Sequence, residues 1–417
     1  MRILYLAHRI PYPPNKGDKI RSYHHVRHLA ERHDVHLVAF VDEPQDADGA
    51  AAMREYCRTV TIVRLDKRWA LLRGLWALLR GRSLSEGYFG SRRMRSAISR
   101  AASRCQFDVA WVFCSVMAQY LPLAKAVRSI VDVIDVDSEK WRQYAEHSRG
   151  PLRWAYSLEC RRLRAFEGWI GHSVDHVLFV TQAEADLFRG FCRGGAEVRV
   201  VANGVDTKYF APAVGAPAEG SPTLLFTGAL DYRPNVDAVL FFVRNVMPLI
   251  RRQVPEACLV AVGHRPSRRL LQQAKGANGA LVVAGSVPDV RPYFRQARVY
   301  VAPLRLGRGV QNKVLEAMAM RVPVVATGLA LEGLEVLVGR HALVAEDAAQ
   351  FAEAVVSLLR DHDRCRQLAD AASALVAQLY TWRTNLQLLD ACLTTEAGIA
   401  ECGASAGDTR AGALGRL

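Results

Sequence analysis

The sequence predicts an α/β protein built from two open, mainly parallel sheets, one after the other. Three observations predict it. Short apolar runs alternate with longer amphipathic ones, the pattern of repeated strand–helix units. A stretch dense in proline and glycine, Ala211 to Pro222, interrupts the alternation, which then starts afresh. The 417 residues, 50% apolar and 23% charged, suffice for two cores of this kind.

In the first half, residues 2–7, 35–41, 108–113, 129–134, 175–180 and 197–201 read as buried strands. After the break, strands are expected at 223–228, 257–263, 280–284, 299–302 and 322–326. The expected organisation is a first domain over 1–205, joined by a late helix at 380–395. A linker over 206–222 leads to a second domain over 223–379. The tail, 396–417, is rich in Ala, Gly and Ser with no periodic apolar face, and is expected to be disordered.

The formal net charge of +14 points to an anionic partner. No nucleic-acid-binding module is recognisable, so a phosphorylated substrate or a membrane surface is favoured over nucleic acid. Residues 64–104 carry eleven Arg or Lys against Asp66 and Glu86, interleaved with Trp69, Leu71, Leu72, Leu75, Trp76, Leu78 and Leu79. That is the composition of a helix lying in an anionic membrane interface, or of a solvated basic helix with an ordinary core face. Nine cysteines lie scattered with no CxxC pair, as in a reduced cytosolic protein. No signal peptide is expected ahead of the first strand, and no apolar run is long and unbroken enough to span a bilayer. The expected location is cytoplasmic and peripheral on the inner face of the cytoplasmic membrane.

Four turns carry candidate chemistry. Pro11 to Lys19 follows the first strand, where open α/β sheets bind ligands. Gly17 permits close backbone approach there, and a helix starting near Asp18 would favour an anion at its free amides. Asn203-Gly204-Val205-Asp206 reads either as a turn closing a strand or as the start of the crossing between domains. Thr227-Gly228 opens the second domain. Pro234 starts the next helix well, and Arg233 is placed to reach a diphosphate. The last turn, Pro303 to Gln311, holds Gly307, Arg308 and Gly309 ahead of a helix expected from about Val310. The N-terminus of that helix offers unpaired amides to a phosphate, and Arg308 and Lys313 add charge. Lys313 and Glu316 share a face at i, i+3, and an acid there can accept from two vicinal ribose hydroxyls. The same spacing also describes a surface ion pair.

Taken in order, Asn203-Gly204-Val205-Asp206 with Phe210, the Gly228 turn, Lys313-x-Leu315-Glu316-Ala317-Met318-Ala319 and Pro323-Val324-Val325-Ala326-Thr327 resemble family 4 of the glycosyltransferases. More narrowly, the chain resembles the sugar transferases of exopolysaccharide clusters associated with PEP-CTERM sorting. That match rests on Gly17-Asp18-Lys19-Ile20-Arg21, Asp135-Val136-Asp137-Ser138, Asp231-Tyr232-x-Pro234-Asn235 and Arg308-Gly309-Val310-Gln311-Asn312-Lys313. The resemblance implies a GT-B fold, two Rossmann-like domains facing across a cleft, and retaining transfer from a nucleoside-diphosphate sugar to a polysaccharide or lipid-linked acceptor. It assigns Glu316 to the ribose, Lys313 to the diphosphate side, Gly307 and Gly309 to the loop under the phosphates, and Gly17 to a loop closing on the donor, with Asn312 counted among the donor-binding residues. Relative to the family, Arg308 stands where a glutamate is common, Gln311 where an arginine is, and Ile134 where a histidine is.

Asp135 and Asp137 then become the candidates for orienting the acceptor or the transferred sugar; helix capping is the other reading of Asp137. No cofactor beyond the donor and no metal is expected, since no DxD motif or ligand cluster calls for one. A nucleotide-sugar epimerase of the same architecture and a non-catalytic assembly subunit remain the rival functions.

Overall fold

The computed structural model describes residues 1–43, 46, 48–212, 222–307 and 309–393. Arg308, most of the expected linker and the expected disordered tail lie outside the described residues.

Two parallel sheets make up the molecule. The first contains β1 (Arg2–Ala7), β2 (Asp34–Val41), β3 (Thr59–Arg64), β4 (Val109–Phe113), β5 (Arg128–Ile134), β6 (His176–Phe179) and β7 (Glu197–Val200), in the order β3-β2-β1-β4-β5-β6-β7. The second contains β8 (Thr223–Thr227), β9 (Cys258–Val262), β10 (Leu281–Gly285), β11 (Val299–Ala302), β12 (Val324–Ala326) and β13 (Leu343–Val344), in the order β10-β9-β8-β11-β12-β13. Each order reverses direction once, between β1 and β4 and between β8 and β11. These switch points are where loops diverge at the carboxyl ends of the strands and leave a crevice for a ligand.

Central strands such as β4 are buried at every residue, which explains why they read as unbroken apolar runs. Two strands escaped the sequence reading. β3 sits at the sheet edge with Thr59 and Arg64 exposed, so its apolar content is diluted. β13 is two residues long.

The chain crosses between domains twice, at adjoining places. Val205 N–H donates to Tyr380 O at 2.7 Å. A Cβ on Gly204 would lie 2.5 Å from the Trp382 backbone nitrogen, so only glycine fits against the returning chain. The helix Trp382–Leu393 then buries Trp382, Leu386, Leu389, Cys392 and Leu393 in the first domain's core beside Ile3, Tyr5 and Trp111.

The basic segment is not one helix. It folds as Lys67–Leu79, Leu84–Phe89 and Arg92–Arg104. Asp66 caps the first, accepting from Arg68 and Trp69 N–H, and Ser83 with Glu86 forms a capping box on the second. The first helix is turned inside out. Its small residues Ala70, Gly74 and Ala77 are buried, and a Cβ on Gly87 of the next helix would lie only 2.4 Å from Ala77 Cβ. Its large residues face outward: Trp69 is 63% exposed, Trp76 55% and Leu79 85%. The Arg80 guanidinium stacks over the Trp76 ring at 3.5 Å.

Candidate active site

The second domain supplies a cationic pocket at its switch point. Gly228, just past β8, has φ +140, and a Cβ there would lie 2.9 Å from Asn235 Nδ2 and 3.6 Å from Lys313 Nζ. Glycine leaves that space open. Asn235, in the helix Arg233–Phe241, donates from Nδ2 to Ala229 O at 2.9 Å and accepts from Lys313 Nζ at 2.6 Å. The ammonium also lies 4.8 Å from the Phe226 ring centroid. Lys313 and Glu316 are thus not a surface ion pair, because the lysine is drawn inward to Asn235.

Burial lowers the Lys313 ammonium to about 7, against the attraction of Glu316. Burial likewise raises the Glu316 carboxyl to about 7, with Lys313 opposing. A buried ammonium that is costly to keep charged gains most from an anion beside it.

The loop after β11 reaches the helix Asn312–Ala319 through Gly307 at φ +114 and Gly309 at φ +81. The helix begins two residues later than expected. Gln311 at its N-cap position turns its side chain back to donate to Gly309 O at 2.9 Å and makes no cap hydrogen bond to the helix amides. Arg233 is exposed at the start of its helix. Arg305 does not face the pocket, because it pairs with Asp237 at 2.8 and 3.1 Å.

The first domain supplies the opposite wall. Asp135 follows β5 and reaches across the cleft: a Cβ on Gly309 would lie 2.8 Å from its Oδ2. The turn that presents it is held at three points. Val136 N–H donates to Glu184 at 2.7 Å, Ser138 donates to Glu167 from N at 3.0 Å and from Oγ at 2.5 Å, and Ser115 Oγ donates to Asp137 Oδ2 at 2.6 Å. Asp137 is the first residue of the helix Asp137–Glu146 and not its cap; Val136 holds the cap position with no side-chain bond. Ile134 takes φ +75 at the head of this turn. Gly17 is exposed, with open space around a built Cβ, so nothing in the fold itself demands glycine there.

Sequence reasoning missed two arrangements in this wall. His8, after β1, stacks on Phe113 and bonds through Nε2 to Asp18 Oδ2 at 3.1 Å, while Arg9 NH1 donates to the same oxygen at 3.0 Å. Burial alone would raise the Asp18 carboxyl, but His8 and Arg9 hold it well below the usual carboxylate range. The other is Arg21, fully buried on Asp132, a pair 111 residues apart in sequence. His8 and Asp18 flank the Pro-rich turn, which is their local signal; Arg21 was visible only as a motif letter, and nothing local pairs it with Asp132.

Residues 20–209 match the family described as Glycosyltransferase Family 4, and residues 221–361 match that described as Glycosyl transferases group 1. The chain belongs to the family 4 glycosyltransferases, with GT-B architecture. This glycosyltransferase is 29% identical over 236 residues to a GDP-mannose-dependent alpha-(1-6)-phosphatidylinositol monomannoside mannosyltransferase of Mycobacterium tuberculosis, a match covering 52% of this chain and 60% of that protein. It is 30% identical over 194 residues to a phosphatidyl-myo-inositol mannosyltransferase of Mycobacterium leprae, covering 45% and 51%. The matches therefore span a little over half the length of these curated relatives. Among solved structures, sucrose-phosphate synthase from Thermosynechococcus elongatus superposes with a TM-score of 0.69 at 18% identity, covering 97% of this chain and 100% of that one. Anabaena HepE in complex with UDP-glucose superposes with a TM-score of 0.66 at 14% identity, with the same coverage. At such identities the structural likeness establishes the GT-B fold of this glycosyltransferase.

Proposed function

We propose that this glycosyltransferase moves a sugar from a nucleoside-diphosphate sugar to a glycan or lipid-linked acceptor in cell-surface polysaccharide synthesis, with retention. The observation that carries the reading is the desolvated Lys313 ammonium beside Gly228, one helical turn from Glu316 and at the uncapped start of its helix. Lys313 and the helix amides hold the diphosphate, and Glu316 accepts from the ribose hydroxyls. As the bond from the sugar's anomeric carbon to the diphosphate breaks, negative charge grows where these donors converge. The acceptor oxygen bonds to that carbon from the same face, and its proton passes to the departing diphosphate. Asp135, presented across the cleft by its braced turn, orients a sugar hydroxyl; Asp137 braces that turn through Ser115. The positioning is what the two-domain cleft contributes.

The mannosyltransferase relatives, named for phosphatidylinositol-based acceptors, support a lipid-linked acceptor, and HepE, solved with UDP-glucose bound, supports a nucleoside-diphosphate sugar donor. These relatives are transferases, which favours transfer over epimerisation. Among the described residues no helix is long and apolar enough to cross a membrane. The outward Trp and Leu side chains of Lys67–Leu79, ringed by arginine, are the proposed contact with an anionic membrane surface.

A thermal-shift screen of UDP-, GDP- and ADP-sugars identifies the donor. With that donor, Lys313→Ala and Glu316→Ala are expected to fold normally and to lose about 100-fold or more in turnover. Wild-type rates in both would overturn the site.

A further inference from the structure

The Arg21 guanidinium is buried at the base of the first domain's wall with four hydrogen bonds. It donates to Asp132 Oδ2 at 2.7 Å and Oδ1 at 3.2 Å, to Val201 O at 2.8 Å and to Asn203 Oδ1 at 3.0 Å. Arginine has donors only, so the Asn203 atom facing it is the oxygen. The nitrogen must then point the other way. It does so across the domain boundary: Asn203 Nδ2 donates to Asn312 Oδ1 at 3.1 Å. Asn203 itself is held in place, because Asn385 Nδ2 donates to its backbone oxygen at 3.0 Å.

The same reasoning settles Asn312. Its oxygen is used by Asn203, so its Nδ2 faces away from Asn203. Asn312 is the first residue of the helix that carries Lys313 and Glu316, next to that helix's uncapped amides. A buried ion pair is seldom worth more to stability than apolar side chains of the same volume. What Arg21 and Asp132 gain here is direction: they fix which way two carboxamides face.

We propose that Asp132, Arg21 and Asn203 form a positioning relay that turns the Asn312 carboxamide so its N–H2 donates to the diphosphate of the bound nucleotide. Asn312 then touches the ligand, and Asn203 is the positioning residue through which the first domain shapes the phosphate site of the second. This rests on the donor site proposed above.

Calorimetry separates the two. The probes are whichever of UDP, GDP or ADP the wild type binds, and the matching nucleoside. Asn312→Ala and Asn203→Ala are each expected to weaken the diphosphate about tenfold and to leave the nucleoside within about twofold. The double variant is expected to be no weaker than either single, because both remove one contact. Losses that multiply, or parallel losses of nucleoside and diphosphate, overturn the relay. Should Asn203→Ala fail to fold, Asn203→Asp keeps the acceptor for Arg21 but draws the Asn312 N–H2 onto its own carboxylate. It is expected to show the same selective loss, and unchanged selectivity overturns the proposal. A wild type that binds none of the three diphosphates overturns the donor site itself, and the relay with it.

Discussion

Lys313 and Glu316 lie one helical turn apart and are both pushed by burial toward neutrality near pH 7, the lysine downward and the glutamate upward. Their preferences oppose each other as pH rises. Below about 7 the ammonium is charged and ready for a diphosphate; above it the ammonium is lost while the carboxylate gains the charge that ribose hydroxyls donate to. The ratio of diphosphate to nucleoside affinity is therefore expected to fall as pH rises from 6 to 9, and to fall much less in Lys313→Arg, whose charge does not titrate in that range. Titration calorimetry at several pH values measures it, and a ratio independent of pH in the wild type removes the desolvated-lysine account. These two residues were legible in the sequence because a helix places i and i+3 on one face. The lysine's partner Asn235 was legible only as a motif letter, since its contact with Lys313 spans 78 positions.

Among the elements, the helix Lys67–Leu79 departs furthest from expectation. It lies in the segment 64–104, whose composition suggests membrane-surface attachment, with a solvated basic helix of ordinary core face as the other reading. Ala70, Gly74 and Ala77 take the buried side and leave Trp69, Leu72, Leu75 and Trp76 outside. Composition does not reveal which face a helix buries when the neighbouring element offers glycine; Gly87 does that here, and it lies on a different helix. Replacing Trp69, Leu72 and Trp76 together by serine is expected to abolish co-sedimentation with anionic vesicles at low salt while leaving nucleotide binding unchanged. Wild type that stays in the supernatant would remove the membrane reading. The strands were more legible. The runs that became β1, β4, β5, β8 and β11 are continuous because helices cover both faces, whereas β3 at the edge and two-residue β13 carry too few buried positions to stand out.

For the molecule as a whole, the cleft is spanned at more than the crossing strands. Arg265, in the second domain, reaches Glu43 of the first at 3.2 Å, and Lys16 reaches the same carboxylate at 2.8 Å. Arg265 is half exposed, so the contact is worth little to stability but enough to bias how the domains sit. Arg265→Ala is expected to leave the melting temperature within a degree or two and to increase the radius of gyration in low-salt solution scattering. Wild type should approach the variant as salt is raised, and identical scattering at low salt would dismiss the clasp. The paired crossing at Val205 and Thr381 sets what such opening can be. A single connecting strand acts as a swivel, free to twist as well as bend. Two strands bonded side by side behave as a door hinge, with one soft axis along the line between them. Because Asn203 stands at that line, its bond to Asn312 is expected to travel least as the cleft opens, and the contact at Glu43 to travel furthest.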